Sequence, residues 1–134
     1  MSEAPPAWRI LIVDDHPSVH AMFAMLLRRL TVADRGFEVV TADSAAQAAK
    51  VVAHAAPFDL IVADLHMEQP NVGLRWLQTL KGHTIHGNAK RVLHTGDADG
   101  PFDDDDAIDA VWAKTGMTTT SVRQRLEALL HNPR

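Results

Sequence analysis

Short apolar runs and helical repeats alternate along the chain. Runs that end at polar side chains are typical of strands buried in a sheet. The segments between them place apolar residues three or four positions apart, which is typical of helices with one buried face. The pattern predicts strands at 10–13, 37–42, 60–63, 91–94 and 110–113. It predicts helices at 17–30, 44–55, 73–81 and 118–130.

Local signals agree with these helix starts. Pro17 suits a first helical turn, and Ser44 with Gln47 is typical of a capping box. Each strand except the fourth is followed by a predicted helix. This alternation predicts an α/β fold, with a parallel sheet and helices on both of its faces. In such open sheets a functional site lies beyond the carboxyl ends of the strands.

Composition narrows the class of protein. The chain has 134 residues, which fits one domain, and its formal net charge is −4. Domains that bind the nucleic-acid backbone carry a basic excess, so we expect no direct nucleic-acid binding. The absence of cysteine excludes disulfides, thiol nucleophiles and thiolate metal sites. No apolar run approaches the ~18 residues of a membrane span, and no signal-peptide core begins the chain, so we expect a cytoplasmic protein.

The polar residues that end the strands form a chemically coherent set. Asp14 and Asp15 end the first strand, Asp64 the third, Thr95 the fourth and Lys114 the fifth. Three carboxylates gathered at one edge would repel one another and need a cation. Ligation by oxygen alone selects a hard ion such as Mg²⁺. The hydroxyl and the ammonium add groups that hold phosphoryl oxygens.

Four motifs in this order resemble the receiver domain of bacterial two-component response regulators. They are ILIVDDHP at 10–17, DLIVADLHM at 59–67, LHTGD at 93–97 and VWAK at 111–114. The resemblance implies a doubly wound, flavodoxin-like parallel sheet of five strands in the order 2-1-3-4-5. The resemblance covers about 9–130, so we expect a receiver domain there and a tail at 131–134. The short, polar start with its prolines predicts a flexible segment at 1–8.

The resemblance implies a role for each residue that matches a motif. Asp64 is the expected phosphoacceptor, Thr95 the switch hydroxyl, and Lys114 the partner of a phosphoryl oxygen. His66 and Asp97, each two positions after a key residue, stand where the family tunes the lifetime of the phosphorylated aspartate. The implied Mg²⁺ ligands are Asp14, Asp15, Asp64 and the backbone carbonyl of His66.

The family also implies partners. A sensor histidine kinase or a histidine phosphotransfer protein would donate the phosphoryl group. The chain would catalyse only its own phosphorylation and dephosphorylation, and would act on a downstream protein target. A homodimer through 99–130 remains open. Because the chain ends soon after Leu130, we expect no effector domain in it, and the HNPR ending favours a single-domain regulator over an excised receiver.

Three departures from the family pattern affect the expected readout. Glu68 stands where a proline is common, and Val111 stands where an aromatic switch residue is common. Thr115 replaces a proline that often follows the lysine. The stretch 95–114 is short and acidic where the family has a fourth helix, so we expect that helix to be short or lost. Within it, 97–106 predicts a solvated loop rather than a Ca²⁺ loop, because the closing glutamate is absent.

Histidines and tryptophans admit two interpretations each. His16, His66 and His94 lie near the predicted edge, but no pair has helical ligand spacing, so scattered histidines are favoured over a transition-metal site. The three tryptophans are expected to pack in the core, although Trp112 also suits a partner surface.

Other functions compete with phosphoryl acceptance. A non-phosphorylated pseudo-receiver would act only as an interaction module. The chain could instead be the receiver fragment of a longer DNA-binding regulator, since DDHP resembles receivers that precede helix-turn-helix domains. A small Mg²⁺-dependent phosphohydrolase would also use clustered carboxylates, but no cap insertion is evident.

Overall fold

The computed structural model describes residues 6–96, 102 and 105–130. The segments 1–5 and 131–134 and most of 97–104 lie outside the described residues. The strands are β1 (Trp8–Val13), β2 (Phe37–Ala42), β3 (Leu60–Asp64), β4 (Lys90–Thr95) and β5 (Ala110–Ala113). The helices are α1 (Pro17–Arg28), α2 (Ala45–His54), α3 (Val72–Leu80) and α4 (Thr119–Leu129).

The strands form one parallel sheet in the order β2-β1-β3-β4-β5. This confirms the predicted α/β fold and strand order, and each predicted element ends within two residues of the observed one. The register aligns the carboxyl ends of the strands. Val13 pairs with Ala63, Asp64 with His94, and Thr95 with Ala113. The polar residues at these ends therefore meet at one edge of the sheet.

The sheet separates two apolar cores, because alternate side chains of a strand point to opposite faces. Leu11 and Ile61 lie in the core covered by α2 and α3. Ile10 and Leu60 lie in the core covered by α1 and α4. The tryptophans are buried in these cores, so the packing interpretation is correct for all three: Trp8, Trp76 and Trp112.

The start of α2 confirms half of the predicted capping box. The Ser44 hydroxyl accepts a hydrogen bond from the Gln47 N–H at 3.0 Å. The side chain of Gln47 accepts from the N–H of Asp43 rather than from that of Ser44. A complete capping box opens α4 instead, where Thr118 and Ser121 exchange side-chain and backbone hydrogen bonds.

The described residues between β4 and β5 form no helix, which agrees with the expected short or lost fourth helix. The end of the acidic segment 97–106 is attached to α3 and the residue after it. Gln78 donates a hydrogen bond to Asp105 at 2.8 Å, and Lys81 forms an ion pair with Asp106. The rest of the predicted acidic loop lies outside the described residues.

His94 of β4 is buried between the sheet and α1, not exposed at the edge. Its ring is 1% exposed and packs edge-on against Phe23, with ring centroids 5.4 Å apart. Burial lowers the pKa of His94 to about 4, and the positive charges of Lys114 and Arg125 act in the same direction, against Asp14. The imidazole is therefore neutral in the folded protein at physiological pH. Among the described residues, no helix is long and apolar enough to cross a membrane.

This burial predicts an acid-dependent loss of stability. The unfolded chain binds a proton at His94 near pH 6.5, whereas the folded chain does so only near pH 4. The contribution of His94 to the free energy of unfolding is therefore constant above pH 6.5. It falls by about 3 kcal/mol between pH 6.5 and pH 4. Urea denaturation at several pH values measures this loss.

His94→Leu separates this effect from the titration of carboxylates. The difference in unfolding free energy between wild type and variant should change with pH by about 3 kcal/mol over that interval. If the unfolding free energies of the two proteins instead differ by the same amount at every pH, the pKa of His94 is not lowered by folding.

Candidate functional site

The edge at the carboxyl ends of the strands collects the candidate residues. Asp14 directly follows β1, Asp64 is the last residue of β3, Thr95 is the last of β4, and Lys114 directly follows β5. In the sheet, β2 lies on one side of β1 and β3 lies on the other side. The sheet order therefore reverses between the strands that carry Asp14 and Asp64. Ligands bind at this switch point in open α/β sheets.

Lys114 links the two buried carboxylates. Its Nζ lies 3.2 Å from Asp14 Oδ2 and 3.2 Å from Asp64 Oδ1. Asp14 is 1% exposed and Asp64 is 5% exposed, so both anions have lost most of their contact with water. Two anions held this close at low exposure require a compensating positive charge.

The pKa values reflect this competition between burial and charge. Burial raises the pKa of Asp64, and the neighbouring charge of Asp14 raises it further, while Lys114 opposes both. Burial alone would lower the pKa of Lys114, but the attraction of Asp14 and Asp64 outweighs burial and raises it. Lys114 therefore carries its full positive charge at neutral pH. That charge favours the ionised form of Asp64.

His16 joins the acidic cluster, although the sequence favoured a scattered histidine there. Its Nδ1 lies 2.8 Å from Asp14 Oδ1, 2.9 Å from Asp15 Oδ1 and 3.9 Å from Asp64 Oδ2. The hydrogen bond to Asp14 is the main cause that raises the pKa of His16. The signal available in the sequence was that His16 directly follows the aspartate pair. Only the geometry of the turn brings its ring back onto the carboxylates.

Thr95 lies next to Lys114 through the backbone. The Lys114 N–H donates to the Thr95 carbonyl at 3.0 Å, and Thr95 is 3% exposed. His66 follows β3 by two residues, and its ring Nδ1 accepts a hydrogen bond from the Asn71 N–H at 2.9 Å. The roles given to Thr95 and to the His66 carbonyl stay predictions. Asp97 lies outside the described residues.

Glu68 anchors the loop between β3 and α3. Its two carboxylate oxygens accept hydrogen bonds from the N–H groups of Ala45 and Ala46 at 3.0 and 3.1 Å. These groups begin α2, where the helix dipole favours a negative charge. Burial alone would raise the pKa of Glu68, but the backbone hydrogen bonds outweigh burial and lower it. The ionised carboxylate of Glu68 thus caps α2 and holds this loop against it.

Gly73 allows the first turn of α3 to pack directly against the backbone of Asp64. A Cβ atom at Gly73 would lie 1.7 Å from the backbone oxygen of Asp64, so a larger residue forces the two segments apart. The Gly73 N–H donates to the Leu65 carbonyl at 2.9 Å. The close approach fixes the backbone that carries Asp64.

The cluster suits a divalent cation. One ligand atom from each of Asp14, Asp15, His16 and Asp64 can be chosen so that all four lie within 4.8 Å of one another. Among the described residues, the buried Asp14 Oδ2 has Lys114 as its ion-pair partner and accepts no further hydrogen bond. Oxygen-rich donor sets of this kind fit Mg²⁺. Asp14, Asp15 and Asp64 are the side chains that would hold it.

The fold and the edge cluster define a doubly wound α/β protein with an acidic site at its switch point. The sequence profile of the response regulator receiver domain family matches residues 10–119. This match covers most of the chain, and the chain belongs to that family.

One curated relative is the 3'3'-cGAMP-specific phosphodiesterase 2 of Vibrio cholerae. It is 28% identical over 127 residues, which cover 92% of this chain and 24% of the relative. The chain thus spans about a quarter of that protein.

Solved structures of a response regulator and of receiver domains share the fold. The phosphorylated cyanobacterial phytochrome response regulator RcpA has a TM-score of 0.77 and 20% identity, over 96% of this chain and 97% of its own. The signal receiver domain of an HD domain-containing protein from Pseudomonas fluorescens has a TM-score of 0.76 and 22% identity, over 93% and 95%. A CheY-like receiver domain from Methylobacillus flagellatus has a TM-score of 0.75 and 21% identity, over 92% and 98%.

The contact at Gly73 predicts an unequal response to two glycine substitutions. Gly73→Ala should lower the free energy of unfolding by about 1–3 kcal/mol, because the new methyl group meets the Asp64 backbone. Gly36→Ala is the matched control, since a Cβ at Gly36 meets nothing within 4 Å. Urea denaturation of both variants is the measurement. Equal stability of the two would contradict the steric argument.

Proposed function

We propose that this chain accepts a phosphoryl group on Asp64, in a Mg²⁺-dependent reaction, and signals by a conformational switch. The donor is a phosphohistidine of a sensor histidine kinase or a histidine phosphotransfer protein. The observation that carries the proposal is the position of Asp64. It ends a central strand, 3.2 Å from Lys114 and beside a cluster able to hold a cation.

Asp64 is the nucleophile in this proposal. An oxygen of its ionised carboxylate attacks the phosphorus of the phosphohistidine. An O–P bond forms and the N–P bond breaks. The departing imidazole nitrogen keeps the electron pair of that bond and gains a proton from water. The product on this chain is an acyl phosphate, which water hydrolyses later.

Lys114 prepares the carboxylate and then receives the product. Its ammonium favours the ionised, nucleophilic form of Asp64 before transfer. After transfer, the same ammonium lies within reach of a phosphoryl oxygen, where a charge-assisted hydrogen bond stabilises the developing negative charge. A bound magnesium ion would supply further charge stabilisation to the phosphoryl oxygens.

The switch depends on the neighbours of the new charge. A phosphoryl group adds negative charge and hydrogen-bond acceptors next to Thr95 and Lys114. A hydroxyl at Thr95 is a donor for those acceptors. Because the backbones of these two residues are hydrogen bonded, movement of Thr95 involves both β4 and β5. Such a local charge change can shift a two-state equilibrium of the domain.

The reaction modifies the chain itself and consumes no external metabolite. A pseudo-receiver that works only as an interaction module is the competing function, motivated by the unusual segment between β4 and β5. The paired Asp14, Asp64 and Lys114 favour phosphoryl acceptance, since a pure binding module has no need of buried, charge-compensated carboxylates.

Mass measurement of the intact protein tests the proposal directly. The wild type, incubated with Mg²⁺ and acetyl phosphate, should gain one phosphoryl group. Asp64→Asn should gain none, and omission of Mg²⁺ should abolish the gain. The matched control is Asp34→Asn, because Asp34 lies in the turn before β2, at the opposite edge of the sheet.

Two outcomes would reject this function. No gain of mass under conditions that label a known receiver would favour the pseudo-receiver. Turnover of a generic phosphate ester, without a phosphorylated protein, would favour a phosphohydrolase.

A further inference from the structure

We propose that the imidazole of His16 is a ligand of the metal ion, so that this site binds a divalent transition ion such as Co²⁺ or Zn²⁺ more tightly than the carboxylates alone would. This inference deepens the proposed function, since it concerns the metal ion of the same site. Ligands with oxygen alone favour Mg²⁺. The folded chain adds a nitrogen atom to that set.

The distances place the ring nitrogen inside the cluster. His16 Nδ1 lies within 2.9 Å of one oxygen each of Asp14 and Asp15, and 3.9 Å from Asp64 Oδ2. Ligand atoms around one transition ion, with bonds of about 2.1 Å, lie roughly 3–4 Å apart. The contacts of Nδ1 with the carboxylates already fall close to this range. A bound ion would use the lone pair of Nδ1, so this nitrogen carries no proton in the metal-bound form.

The backbone holds the imidazole in this position. The His16 N–H donates to Asp14 Oδ1 at 2.9 Å, which closes a turn at the start of α1. Pro17 follows, and a residue before proline is restricted to extended backbone, as observed at His16 with φ −102° and ψ 114°. His16 therefore stays outside α1, and the contacts of its Nδ1 with Asp14 and Asp15 place the ring over the carboxylates. Its side chain is 58% exposed, so small shifts toward an ion require no repacking.

Ligand chemistry then separates the metals. Mg²⁺ binds oxygen and gains little from an imidazole, whereas Co²⁺ and Zn²⁺ bind imidazole nitrogen well. His20 does not compete for this role, because its Nε2 contacts the backbone carbonyl of Asp14 at 2.6 Å. His66 uses its Nδ1 within the loop between β3 and α3. Among the described histidines, His16 is the one whose nitrogen joins the carboxylates.

Two measurements on the full chain test the proposal. Isothermal titration compares Mg²⁺, Co²⁺ and Zn²⁺ binding to the wild type, His16→Gln and His54→Gln. His54 is an exposed histidine at the end of α2, so its variant controls for loss of any surface histidine. We expect His16→Gln to weaken Co²⁺ and Zn²⁺ binding by about tenfold or more, and Mg²⁺ binding by less than about twofold. The His54 variant should match the wild type.

Pulsed electron paramagnetic resonance of the Mn²⁺-loaded protein gives a readout independent of affinity. Coupling of Mn²⁺ to a directly bound ¹⁴N should appear in the wild type and in His54→Gln, and vanish in His16→Gln. Bound Mn²⁺ without this coupling, or equal loss of affinity for all metals in His16→Gln, would overturn the role of His16.

The phosphorylation assay with Mg²⁺ separates this proposal from the proposed function. If Asp64 is phosphorylated while His16→Gln binds all metals normally, only the nitrogen ligand is wrong. If no metal binds at the cluster in any variant, both the nitrogen ligand and the Mg²⁺ dependence are wrong.

Discussion

The ion pairs of Lys114 with Asp14 and Asp64 are the interaction on which the site depends. Two carboxylates on neighbouring central strands repel each other, and burial increases that cost because water no longer screens them. The ammonium lies 3.2 Å from one oxygen of each carboxylate and offsets the repulsion. Without it, the buried carboxylates would have to take up a proton, become exposed or move apart. The same charge that permits their burial also favours the ionised form of Asp64, which the proposed phosphoryl transfer requires.

The contact of Lys114 with Asp14 and Asp64 depends on the order of the strands in the sheet. Adjacent strands lie about 4.8 Å apart, so β5, two strands away from β3, is roughly 10 Å from it. Lysine has a long, flexible stem with a compact charge at its end, and it can cross part of this distance above the end of β4. Thr95 ends that intervening strand, and its carbonyl accepts a hydrogen bond from the Lys114 N–H. The parallel arrangement is what brings all of these strand ends to the same edge.

The sequence was sufficient for the elements whose signal is local. Buried runs ending at Asp14, Asp64, Thr95 and Lys114 predicted both the strands and their common edge. The additional contacts made by His16 and Glu68 were not predictable in this way. The ring of His16 reaches the carboxylates only through the turn before Pro17, and Glu68 caps a helix that is more than twenty positions away in the chain. Such contacts depend on where loops fold in space, which neither periodicity nor spacing encodes.

Binding of the metal ion and phosphorylation of Asp64 should favour each other at this site. Three carboxylates and one ammonium leave an excess of two negative charges when His16 is neutral. A divalent cation cancels that excess, whereas a phosphoryl group increases it. Under the proposed function, the cation would therefore be bound more tightly when Asp64 is phosphorylated. The acyl phosphate would also form more readily when the cation is present, because the coupling free energy is reciprocal. The identity of the ion then affects the phosphorylation equilibrium, so a nitrogen ligand at His16 would act on signalling as well as on metal binding.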